Sequence, residues 1–210
     1  MVCFPAPMKL ILASGSPRRA EILRAAGFSF DIIPADIDEI LSPGEPATDY
    51  VQRLAEEKAH TVARKIAAIE PATQAIVIAA DTTVVVNGAI LEKPQSASDA
   101  RRMLEQLSGG MHDIYTGVVL LRLPDGAARK FVDVTRVYFA DLSAAEIADY
   151  IASGEPFGKA GAYAIQGLGG RFVKRIEGSY FNVMGLPLGR IYQELRKFQE
   201  ETASAPTHHN

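Results

Sequence analysis

The chain has 210 residues, 48% of them apolar, which supplies a real core and rules out intrinsic disorder. A net charge of −3 and a pI near 5.8 argue against broad nucleic-acid or membrane-surface binding, so a cluster of cations here is aimed at something small. The one cysteine, Cys3, excludes an internal disulfide and fits a reducing cytoplasm, and no apolar run approaches the ~20 residues of a membrane span.

Residues 1–8 contain Pro5 and Pro7 but no cationic start and no long apolar core. They read as a disordered leader rather than a signal peptide, with Cys3 incidental. Leu10 to Ala13 is a buried strand. Ser14-Gly15-Ser16 breaks it, Ser16 offers an N-cap, and Pro17 suits the first helical position. Ile22, Leu23 and Ala26 give the helix its apolar face, and Gly27 ends it. Arg18 and Arg19 lie in the first turn, where the helix dipole disfavours cations by about 0.3–1 kcal/mol each. Two solvated arginines are one reading. A bound anion is the other: uncapped N–H groups, the hydroxyls of Ser14 and Ser16 and two guanidiniums make a phosphate cradle.

Phe28 to Pro34 is expected as a second strand, followed by the acidic run Asp36 to Glu39. That run is either a solvated loop or a source of a carboxylate for a divalent cation. After a Pro/Gly-rich connection, a helix capped by Thr48 or Asp49 should run to about Ile69. Its inward stripe is Val51, Leu54, Ala55, Lys58, Val62, Ile66 and Ile69. Lys58 on that face either snorkels to water or emerges in a cleft beside a carboxylate or phosphate.

Ala75 to Val86 is a near-continuous apolar strand carrying Asp81-Thr82-Thr83. A carboxylate in such surroundings is costly unless paired or bound to metal, which makes Asp81 the leading general-base or metal-ligand candidate. Asn87-Gly88 predicts a type I′ turn into a partner strand, Ala89 to Leu91. The turn brings Lys93 back toward Asp81. Ser96 to Leu107 is a helix stopped by Gly109-Gly110. Met111 to Leu123 and Arg129 to Ala140 form a long hairpin, with Thr116 turned to the cleft and His112 at a strand edge. Ser143 and Glu146 form a capping box.

Gly158 to Gly170 is Gly-rich and matches neither a Walker loop nor a dinucleotide fingerprint. The carboxamide of Gln166 both donates and accepts, so it is either a structural loop group or a partner for the imide edge of a uracil or thymine. Phe172 to Ile176 and Tyr180 to Met184 read as a closing hairpin. A last helix starts at Pro187 and ends near Phe198, leaving 199–210, with His208 and His209, as a flexible tail.

Taken together, Ala13-Ser-Gly-Ser-Pro-Arg-Arg19, Ala80-Asp-Thr82 with Leu91-Glu-Lys-Pro94, and Lys159-Ala-Gly-Ala-Tyr-Ala-Ile-Gln-Gly167 resemble the Maf family of nucleoside triphosphate pyrophosphatases. Gly178-Ser-Tyr and Val183-Met-Gly-Leu-Pro187 fit as well. The resemblance implies an α/β fold of the Maf/inosine-triphosphatase type, a mixed elongated sheet flanked by helices with two lobes around a cleft, over a single domain, 9–198. It implies a cytoplasmic homodimer that uses a divalent cation, Mg²⁺ or Mn²⁺, and splits a nucleoside triphosphate between the α and β phosphates. Carried over by motif, Asp81, Lys58 and Lys93 are catalytic, Ser14, Ser16, Arg18, Arg19 and Lys159 bind phosphate, and Glu39 and Asp81 hold the metal. Arg18, Thr82 and Gln166 mark the branch acting on dTTP and UTP. Action on 7-methyl-GTP or other modified nucleotides, or a non-catalytic regulator of cell division, are the alternatives. Gly158 and Ala164 depart from the family's usual Asp and Gly, which bears on a cleft charge and on the base pocket.

Overall fold

The third strand fixes the architecture because both of its faces are covered. The computed structural model describes residues 8–204, without the side chains of 199 and 202–204. The readings made for residues 1–7, including Cys3, and for His208 and His209 lie outside the described residues. The described elements are strands β1 (Lys9–Leu12), β2 (Asp31–Ile32), β3 (Ala75–Val86), β4 (Ala89–Leu91), β5 (Met111–Leu123), β6 (Ala128–Phe139) and β7 (Val173–Glu177). The helices are α1 (Pro17–Ala25), α2 (Ala47–Ile69), α3 (Ala97–Leu107), α4 (Ala144–Ala152), α5 (Tyr180–Val183) and α6 (Leu188–Ser204).

The strands form one 7-stranded mixed sheet in the order β2-β1-β3-β5-β6-β7, with β4 paired to β3. β1 pairs in parallel with β2 and β3, and the remaining pairs are antiparallel. Along β3 the side chains alternate. Ala75, Val77 and Ala79 pack with Ala55, Ala59, Val62 and Ile66 of α2, while Ile76, Ile78 and Ala80 pack with α1 and with Ile191, Leu195 and Phe198 of α6. Past the middle of the sheet, Val84 and Val86 join Leu104, Phe139, Tyr150 and Phe172 in a further core beneath α3 and α4. The long strands thus carry two lobes, one under α1, α2 and α6, the other under α3 and α4.

α2 crosses the sheet closely at Gly117 of β5, where a Cβ would lie 2.3 Å from the Val51 carbonyl oxygen. Gly117 is the cross-strand partner of Asp81. The Asn87-Gly88 turn has φ of 50° and 78°, as type I′ requires. The Ser143–Glu146 capping box is formed, and Ser96 caps α3.

Six expectations are corrected. α2 starts at Ala47 with Pro46 at its N-cap and no side-chain cap, so Thr48 and Asp49 lie inside its first turn instead of capping it. The second strand shrinks to two residues, Asp31–Ile32. Ile69 is 88% exposed, because α2 overhangs the sheet at its end. His112 is not at an edge: it is 2% exposed, its Nε2 lies 2.7 Å from the Tyr163 hydroxyl, and its ring packs edge-on against Phe139. Tyr180–Val183 is a helical turn rather than a strand. Ser179 caps it, and fully buried Asn182 spends its amide on the Ile114 carbonyl and the Thr135 hydroxyl instead of pairing as a strand. α6 continues to Ser204 rather than ending at Phe198, where a flexible tail was expected. Arg129 of β6 ties its later turns down through Glu194 and Glu201.

Candidate active site

β1 ends, β3 runs past it, and α1 starts in the gap between them. A cleft of about 940 Å³ opens there, and every site residue expected from the sequence lines it. Strand alternation sorts the two central residues of β3. Asp81 continues the face covered by α2, and Thr82 continues the face covered by α1.

On the α2 side the Lys58 ammonium lies 2.6 Å from Asp81 Oδ1 and 2.6 Å from Glu39 Oε1. Lys58 therefore does not snorkel; its side chain is 8% exposed and ends between two acids. Lys93 closes the chain with a 2.6 Å contact to Glu39 Oε2. Burial raises the pKa of Glu39, but Lys58 and Lys93 outweigh it and hold the carboxyl down at about 2. Both oxygens of Glu39 are engaged. Asp81 Oδ1 is held by Lys58, and no other described residue takes its second oxygen.

On the α1 side Arg19 is buried, and its guanidinium is fixed on three sides. Nε donates to the Gly185 carbonyl at 2.7 Å, Nη1 to Ser14 Oγ at 3.1 Å, and Nη2 to Thr82 Oγ1 at 3.0 Å. Burial lowers its pKa, and the nearby charges of Asp81 and Glu39 oppose that. Arg19 is thus a strut that presents charge from beneath the cleft, whereas Arg18 is half-buried on the cleft wall. Ser14 Oγ accepts from Arg19 and from the Ser16 N–H at 3.2 Å, which leaves its own proton to donate. Ser16 makes no side-chain cap, and Pro17 brings no N–H, so the start of α1 is open to an anion.

Thr82 Oγ1 also meets Thr116 Oγ1 at 3.0 Å. Thr116 is fully buried below the cleft rather than facing into it. Lys159 donates to the carbonyls of Glu155 and Phe157, and burial together with Arg18 lowers its pKa. Gln166 is exposed on the cleft wall, and its carboxamide makes no hydrogen bond among the described residues.

Three contributors escaped the sequence reading. Tyr50 lies beside Val51 on the α2 stripe and donates its hydroxyl to the Glu39 carbonyl at 3.4 Å; its placement one position before the stripe was the available signal. Gly185 supplies a carbonyl to Arg19, and nothing local marks a backbone acceptor. Glu155 grips the Gly-rich segment from fourteen residues away, a separation no local pattern carries.

The arrangement combines a carboxylate with one free oxygen, a relay of two lysines and a second acid, an open helix start, and cations on the cleft wall. It can hold a polyphosphate and activate a water beside it. Among the described residues no cluster of three or more acidic, His or Cys side chains gathers to hold a metal, and no helix is long and apolar enough to cross a membrane.

The family model described as Maf-like protein matches residues 9–198. A Carboxydothermus hydrogenoformans protein named dTTP/UTP pyrophosphatase is 47% identical over 91% of this chain and 99% of its own. Proteins of the same name from Anaeromyxobacter sp. and Clostridium perfringens are each 48% identical, over 90% and 91% of this chain and 89% and 97% of theirs. The solved structure of the Staphylococcus aureus Ham1 protein is 14% identical, with a TM-score of 0.47 over 92% of this chain and 99% of that one.

Proposed function

The chain belongs to the Maf-like protein family, and on that premise we propose that it hydrolyses dTTP and UTP to the monophosphate and pyrophosphate. One observation carries the reading: Asp81, the open start of α1 and Gln166 face a single cleft. The triphosphate lies across the helix start, where Ser14, Ser16 and the N–H groups of the first turn donate to phosphate oxygens. Arg18 and Lys159 offset its charge from the wall, and Arg19 does so from below. The free oxygen of Asp81 takes the proton of the attacking water, while Lys58 keeps the carboxylate oriented toward it. Lys93, tied to Glu39, stands ready for charge that develops on the departing pyrophosphate. Gln166 reads the base through a donor and an acceptor that match the imide edge of uracil or thymine, and Thr82 supports it from the floor.

The donor set fits a cation that arrives with the substrate better than a resident one. Mg²⁺ or Mn²⁺ of that kind needs only one or two carboxylates; the free oxygen of Asp81 would hold it, and Glu39 would join where Lys58 or Lys93 turns to the substrate. When bound, it polarises the phosphate oxygens. The reading extends to a homodimer acting in the cytoplasm.

The test is a panel of nucleoside triphosphates, 7-methyl-GTP included, with products identified. Monophosphate plus pyrophosphate, fastest from dTTP and UTP, is expected. Diphosphate plus phosphate would refute the cleavage position, and a preference for 7-methyl-GTP would refute the base assignment.

A further inference from the structure

The segment that carries Gln166 closes one turn on itself just past that residue, Gly170 N–H to the Gly167 carbonyl at 3.2 Å, and a carboxylate outside the segment supplies a second hold. Glu155 Oε1 accepts the Gly169 N–H at 2.9 Å, and Oε2 accepts the Leu168 N–H at 2.9 Å. Oε1 also accepts the Tyr150 hydroxyl at 2.9 Å, and that hydroxyl in turn accepts the Ala164 N–H at 3.3 Å. Gln166 lies between these two attachments, with Ala164 on one side and Leu168 and Gly169 on the other. Its own carboxamide stays free for a ligand. The backbone is shaped around this acid: Gly167 sits at φ 134°, and a Cβ there would lie 2.6 Å from Glu155 Oε2.

We propose that Glu155 is a positioning residue that sets the specificity of the site by fixing the backbone on either side of Gln166. The proposal rests on the reading of Gln166 as the base-contacting group. An unattached loop would let the carboxamide sample many orientations, and a donor–acceptor match to one base edge is worth little without orientation. The carbonyl of the same residue holds Lys159, but a side-chain substitution leaves that contact in place. The Glu155 charge also acts on Lys159, but UTP and CTP share that phosphate contact, so their ratio separates base recognition from phosphate binding.

The experiment compares kcat/KM for UTP and CTP in the wild type, Glu155→Gln, Tyr150→Phe and Gln166→Ala, with thermal melts of each. CTP presents an amine where UTP presents a carbonyl, so the ratio reads base recognition alone. Glu155→Gln places an NH2 against a backbone N–H, and it should cut the UTP-over-CTP ratio at least fivefold while changing the CTP value less than twofold. Tyr150→Phe should move the ratio in the same direction, and it carries the test if Glu155→Gln fails to fold. Adding Glu155→Gln to Gln166→Ala should change the ratio no further. Equal loss on both substrates, or an unchanged ratio in folded Glu155→Gln beside a collapsed ratio in Gln166→Ala, overturns the positioning role and leaves the base reading standing. An unchanged ratio in Gln166→Ala overturns both.

Discussion

Lys58 Nζ and Asp81 Oδ1 lie 2.6 Å apart at the crossing of α2 and β3, with side chains 8% and 9% exposed. The pairing ties β3 to the helix above it and leaves one carboxylate oxygen free among the described residues. Asp81→Asn keeps the shape and removes the proposed base. Turnover should fall by about 10²–10⁴-fold, the usual worth of a positioned general base, with an unchanged circular dichroism spectrum. Pyrophosphate release at saturating substrate measures it, and near-wild-type turnover would remove Asp81 from the reaction.

Arg18 and Arg19 are adjacent, but their substitutions should behave differently. Arg19→Lys cannot reproduce a planar group bonded to Gly185, Ser14 and Thr82 at once. It leaves buried acceptors unpaired and should lower stability by about 2 kcal/mol, read from urea melts. Arg18→Ala should raise KM for the triphosphate severalfold and leave the melt unchanged. Identical behaviour of the two variants would contradict the division between strut and ligand.

Gly117→Ala tests the approach of α2 to the sheet. The new methyl would meet the Val51 carbonyl oxygen at 2.3 Å, so the helix must move outward. Overpacking of this kind costs about 1–3 kcal/mol. Because Gly117 is paired with Asp81, the shift also pulls Lys58 from its acid, and kcat should drop more than KM rises. A stable variant with normal kcat would show that the approach is not needed.

His112 makes stability depend on pH. Burial pushes its pKa from 6.5 down to about 4, with Asp113 opposing. Its Nε2 meets the Tyr163 hydroxyl, and Nδ1 has no partner among the described residues. The unfolded chain therefore binds a proton between pH 6.5 and 4 that the native state refuses. The stability that His112 contributes is complete above 6.5 and lost as pH falls through that window, by about 3 kcal/mol in all. Urea melts from pH 7 to pH 4 should show the decline. His112→Phe should remove that part of the slope, and an unchanged slope would place its origin elsewhere.

Much of the fold was legible because burial imposes periodicity. The unbroken apolar run of β3 signals cover on both faces, the α2 stripe names its inward side from Val51 to Ile66, and the turn and cap chemistry at Asn87-Gly88, Ser96 and Ser143 is local. Asp81 stood out as an acid inside such a run. The role of Lys58 did not follow from its stripe, since a lysine there serves equally well by snorkelling, and only the long-range placement of Asp81 and Glu39 around its ammonium selects the paired state. Arg19 looked like Arg18 because the Gly185 carbonyl that captures it is 166 residues away. The Tyr180–Val183 turn was misread because its apolar residues suggest a strand, while the deciding contacts are made by Asn182 with β5 and β6.

β3, β5 and β6 run without interruption from one lobe into the other, with β3 and β5 hydrogen-bonded from Ala75–Leu123 to Val85–Asp113. The jaws of this molecule therefore share a spine. A rigid-body hinge between them would have to break ladder bonds in its middle, so any tightening around a bound molecule falls to the side chains and loops mounted on that spine, while Asp81 and Thr82 keep the spacing the strand gives them.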